Sequence, residues 1–68
     1  MTNDVKKFGK ALREIRLKKK MSQGDIAGKL GVHRSYISGL ERGKRNPSLL
    51  TIKKMAEALG VAPKELVE

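Results

Sequence analysis

Arg34, Ser35, Ser38, Gly39 and Arg42 are spaced so that, on a helix turning about 100° per residue, all five fall within one arc of roughly 140°. Ile37 and Leu40 fall on the opposite side. A guanidinium fork pairs bidentately with guanine O6 and N7 or with a phosphate, and serine hydroxyls donate to or accept from several base edges. Small side chains let the helix backbone come close. A helix offering that face while held by its apolar side fits the ~12 Å major groove of B-DNA. Arg34 taken by itself suits a phosphate contact as well as a guanine. Tyr36 sits at the edge of the apolar arc and reads as a half-buried packing residue. His33 reads as a local cap at the helix start rather than a ligand or a base.

Catalysis has no matching set of residues. The chain has one histidine and no cysteine, and it carries no paired-carboxylate pocket, nucleophile–base set or glycine-rich phosphate loop. A zinc site lacks ligands. No enzyme activity, metal, cofactor or small-molecule ligand is expected.

The elements that must hold this face follow from periodicity and breakers. Val5, Phe8, Ala11, Leu12 and Ile15 recur at three- and four-residue steps, predicting an amphipathic helix from about Asp4 to Lys19 with Asp4 as its N-cap. Ser22 followed by Asp25 forms a capping-box-like start. The second helix so opened turns Ile26, Ala27 and Leu30 inward and stops at Gly31. Gly31, Val32 and His33 leave room only for a tight turn before a third helix, Arg34 to Arg42, and two helices joined this way make a helix-turn-helix. Residues 43–47 form a loop, and Ser48 caps a fourth helix built on Leu49, Ile52, Met55, Ala56 and Leu59. Gly60 stops it. Pro63 starts a short fifth helix through about Val67 that buries Leu66. The fold class is therefore all-α, five helices in one domain over residues 1–68, with no repeat, linker or low-complexity tail left over.

Sixteen Lys and Arg against seven Asp and Glu give a formal charge of +9, which suggests a polyanionic partner and at this level leaves DNA, RNA and an anionic membrane all open. Residues 1–45 carry thirteen of the cations and four of the acids, whereas residues 46–68 carry three of each. The excess thus sits with the helix-turn-helix. No apolar run reaches signal-peptide or membrane-span length, so a cytoplasmic protein without a membrane partner is expected.

The run from Met21 to Leu49, with Ser22-Gln23, Ala27, Leu30-Gly31, Tyr36-Ile37-Ser38, Glu41-Arg42-Gly43 and Asn46-Pro47-Ser48, resembles the phage-repressor (Xre/Cro) helix-turn-helix family. Within it, residues 33–49 are similar to the small controller proteins of restriction-modification systems. The resemblance implies a five-helix lambda-repressor-like fold and a transcriptional regulator that binds double-stranded DNA. It implies that Arg34, Ser35, Ser38 and Gly39 face bases, and that Gln23, Arg42, Lys44, Arg45 and Asn46 contact phosphates. It also suggests an ion pair between Arg16 and Glu41, for which there is an independent reason: Glu41 lies at the edge of the buried face, where an unpaired carboxylate is costly. Lys20 stands where the family usually has glycine, so a left-handed backbone is expected there. Gly24, Gly28 and Gly39 lie inside helices, each costing up to ~1 kcal/mol relative to alanine.

A domain this small gains from a second subunit. On the fourth helix Leu50 points about 160° from the core direction, which predicts an exposed leucine at the centre of a self-complementary patch with Lys54, Glu57, Val61 and Val67. The controller-like resemblance implies the same surface. A homodimer on a palindromic operator is the resulting expectation. The alternative is an antitoxin-type protein-interaction module for which DNA binding is secondary.

Overall fold

The computed structural model describes residues 3–67, and it is helical throughout, with no strand among the described residues. Five helices follow one another: α1 (Asn3–Lys18), α2 (Gln23–Leu30), α3 (Arg34–Glu41), α4 (Leu49–Leu59) and α5 (Lys64–Val67). Helix α3 packs on both α1 and α2, while α5 folds back on α1 and α4 closes against α2. The shared interior holds Phe8, Leu12, Ile26, Ala27, Ile37, Leu40, Met55, Ala56, Leu59 and Leu66, with Ile15, Met21, Leu30, Tyr36, Ile52 and Val61 packed around it. Leu12, Ile26, Ile37, Leu40 and Met55 have no exposed surface. Full burial of such side chains contributes roughly 1.5–3 kcal/mol each.

Caps decide where the helices begin and end. The Ser22 hydroxyl accepts from the Asp25 N–H at 2.9 Å, and the Ser22 N–H donates to Asp25 Oδ2 at 2.8 Å, a closed capping box. Ser48 caps α4 by accepting from the Thr51 N–H at 3.1 Å. At the other ends Gly31 and Gly60 adopt left-handed conformations, φ 70° and 72°, and let the chain reverse. Val32 and Val61 then donate to carbonyls five residues back, at 3.0 Å each. Helix α1 ends the same way, with the Met21 N–H on Arg16 O at 3.1 Å, but its left-handed residue is Lys20, φ 58°. The Cβ of Lys20 makes that conformation costly, so the end of α1 is the strained one.

Four expectations need correction. Asp4 lies inside the first turn of α1 rather than ahead of it. There it still faces the positive end of the helix dipole. His33 occupies the N-cap of α3 but makes no side-chain capping hydrogen bond. Arg42 falls outside α3 as its C-cap, with φ −87° and ψ 1°. Leu49, expected in the core, is 82% exposed. It is the first residue of α4, and side chains on a helix tilt toward the N-terminus, so Leu49 overhangs the helix start with nothing beneath it.

Candidate nucleic-acid interface

The apolar side of α3 is sealed by Ile37 and Leu40, and its outer side presents Arg34 and Ser35 as exposed residues, Ser38 in part and, just past the helix end, Arg42. Arg42 folds back on its own helix: its Nε donates to Ser38 O at 3.3 Å and its backbone N–H to the same carbonyl at 3.0 Å. A cation there meets the negative end of the dipole. Gly43, φ 71°, makes the following turn, and a Cβ on it would lie 3.1 Å from Cγ of Lys6. Gly39 departs from expectation. It is buried, because the stem of Arg45 lies across it, so its backbone is not bare.

The orientation of α3 is set from the other side. Arg16 on α1 donates through Nε to Glu41 Oε2 at 2.6 Å and through Nη2 to Oε1 at 2.9 Å. Its Nη1 donates to Met21 O at 2.9 Å. Gln23, the first residue of α2, adds its Nε2 to Glu41 Oε1 at 3.0 Å. The side chains of Arg16 and Glu41 are 9% and 3% exposed. Burial is the largest single influence on Glu41 and pushes its carboxyl up. The hydrogen bonds from Arg16 and Gln23 and the charges of Arg16 and Arg13 together outweigh it, leaving the group below its ordinary range. The bond to Glu41 in turn raises the Arg16 guanidinium, against the lowering effect of burial. Buried pairs of this kind add little net stability over apolar packing, but removing one partner strands the other. Here the pair fixes three helix ends at one point.

Gln23, a candidate phosphate contact, therefore has its amide turned toward Glu41 through Nε2. Lys44, Arg45 and Asn46 are all exposed, but the last two diverge. Arg45 lines a groove with His33, Ser35, Tyr36 and Leu50, whereas Asn46 lines another with Asp4, Val5, Phe8, Pro47 and Val67. The Arg45 guanidinium carbon stands 5.7 Å from the centroid of the Tyr36 ring. Nothing in local periodicity links residues nine apart across a loop, so this stack had no sequence signal.

The expected dimer patch is likewise divided. Leu50 is 60% exposed and shares its groove with Lys54, and Glu57 lies next along the same face of α4 beside Lys54. Val61 is half-buried against the core. Val67 is 57% exposed but lies in the groove with Phe8 and Ile52, apart from Leu50.

Gly9 was also missed. It is buried, and a Cβ there would lie 2.3 Å from Leu40 O and 2.7 Å from Glu41 O. Helix α1 thus rests on the last carbonyls of α3. The signal was a glycine between Phe8 and Lys10 within a strongly periodic helix.

Comparison with known proteins agrees with this geometry. The helix-turn-helix family model matches residues 12–66. The control protein C.BamHI of Bacillus amyloliquefaciens is 50% identical over 70 residues, covering 100% of this chain and 86% of that protein. The crystal structure of the restriction-modification controller protein C.AhdI from Aeromonas hydrophila superposes with a TM-score of 0.90 at 49% identity, over 96% of this chain and 98% of that one. The controller protein C.Esp1396I, solved as a tetramer in complex with its natural 35 base-pair operator, gives a TM-score of 0.84 at 34% identity, over 91% and 82% of the two chains.

Proposed function

Because the chain belongs to the helix-turn-helix family of DNA-binding transcriptional regulators, we propose that it regulates transcription by laying α3 in the major groove of an operator. Arg34, Ser35 and Ser38 face base edges in this reading. Arg42, Lys44, Arg45 and Asn46 meet phosphates, and Gln23 does so with whatever donor capacity Glu41 leaves it. Two copies act together on a palindromic site, joined around Leu50, Lys54 and Glu57. The similarity to restriction-modification controllers supports control of such a system's genes as the biological setting.

The observation that carries the reading is the exposed Arg34–Ser35 start of α3 together with the cationic turn Arg42–Lys44–Arg45 past its other end, on a helix whose Ile37 and Leu40 are buried. Binding titrations on duplexes containing an inverted repeat test it. Arg34→Ala is expected to cost about 1–3 kcal/mol and to relax preference at one base pair. Lys44→Ala is expected to weaken binding to all sequences alike and to flatten the log–log salt dependence by roughly one unit. A uniform loss for Arg34→Ala makes it a phosphate contact, and an unchanged slope removes Lys44 from the interface.

A further inference from the structure

Gly39 leaves the surface of α3 open where the chain returns from the 43–47 loop. A Cβ at that position would lie 2.9 Å from Cγ of Arg45, 3.7 Å from Nε and 3.9 Å from Cδ, so the arginine stem passes directly over the glycine. The head of the same side chain stands 5.7 Å from the centroid of the Tyr36 ring. Tyr36 and Gly39 are three residues apart and adjoin on the helix surface. Arg45 therefore crosses one turn of α3, its stem on the glycine and its guanidinium on the ring.

We infer that Gly39 and Tyr36 are positioning residues that hold Arg45 along the Gly39–Tyr36 edge of the outer face of α3, ordering an arginine at the margin of that face before DNA arrives. This rests on the DNA-binding reading above. Three considerations support it. Glycine is a poor helix former, and the φ of Gly39 is not in the left-handed region, so helix formation alone favours alanine there. Arg45 shares its groove with His33 and Ser35 at the N-terminal end of α3, where a cation is electrostatically unfavourable in the free domain and favourable opposite a polyanion. An arginine ordered in advance also loses less side-chain freedom on binding.

The test combines Gly39→Ala, Arg45→Ala, their double variant, Tyr36→Phe and Tyr36→Leu. The readouts are thermal unfolding, affinity for one operator duplex at fixed salt, and the ring-current displacement of the Arg45 δ and Nε protons in the free protein. Gly39→Ala is expected to melt no lower than wild type, to move those protons toward unstacked positions, and to bind about tenfold more weakly, the loss of one charge-assisted contact. In the Arg45→Ala background the same substitution is expected to cost nothing further. Tyr36→Phe keeps the displacement and the affinity, and Tyr36→Leu loses the displacement. The inference is overturned if Gly39→Ala weakens binding equally with Arg45 absent, or if the Arg45 protons of wild type show no displacement. A wild type that binds no duplex sinks the DNA-binding reading instead, and the proton shifts then decide the placement of Arg45 alone.

Discussion

Glu41 keeps its charge in a nearly solvent-free position because Arg16 and Gln23 supply three hydrogen bonds between them. Its carboxyl is held below the ordinary value near 4.5, which fixes the direction of a pH effect. A depressed folded pKa contributes stability in full above the unfolded value, and the contribution is lost as pH falls through the folded value. Asp25 acts in the same direction, lowered by its bonds to the backbone and then the side chain of Ser22. The melting temperature is therefore expected to fall as pH drops from about 5 toward 3. Glu41→Gln is expected to melt lower at neutral pH and to follow a shallower acid limb. Equal slopes for variant and wild type would place the acid sensitivity elsewhere. Of the candidate site, the outer face of α3 was legible because angular spacing alone separates Arg34, Ser35 and Ser38 from Ile37 and Leu40. The covering of Gly39 by Arg45 and the turning of Gln23 toward Glu41 were not, since both depend on side chains brought together by loops and helix crossings.

Between elements, the contact that matters most is the seating of α1 on the C-terminal end of α3. Gly9→Ala drives a methyl group into Leu40 O and Glu41 O, backbone atoms that cannot rotate away. Overpacking of a core costs typically 1–3 kcal/mol, and against backbone the upper figure, about 3 kcal/mol, is expected. Urea unfolding measures it. A midpoint equal to that of wild type would mean that α1 and α3 separate without penalty. Helix existence was readable from the residues that punctuate it: Ser22, Gly31, Ser48 and Gly60 all sit where caps were expected, because each carries a hydrogen bond or backbone conformation that few other residues supply. Leu49 was misread because periodicity treats a helix as endless, and the first residue of a real one has no turn beneath it. Gly9 was passed over because a glycine in a periodic segment looks like a propensity defect until its neighbour is known.

At the scale of the whole molecule, the domain spans 27 × 23 × 21 Å between its Cα extremes, too small to reach two successive major-groove faces about 34 Å apart by itself. Leu49 and Leu50 stand side by side at the start of α4, 82% and 60% exposed. In the proposed dimer, a two-fold axis near them would bury both against their copies. Leu50→Glu sets two carboxylates against each other there, and sedimentation at micromolar concentration is expected to show monomers that no longer bind a palindromic duplex cooperatively. A variant as dimeric as wild type would move the interface to another surface, the groove containing Val67 being the next to examine. The same body has a further property as a DNA ligand. Helix α3 sits on α1 through Gly9 and is bonded to it through Glu41 and Arg16, which ties its direction to that of the rest of the domain. In the proposed complex, a duplex that does not match this fixed surface would be the partner to yield. Base steps between two half-sites, touched by no side chain, would then be selected by how readily they bend and twist, and the preferred operator would be defined as much by its mechanics as by its contacts.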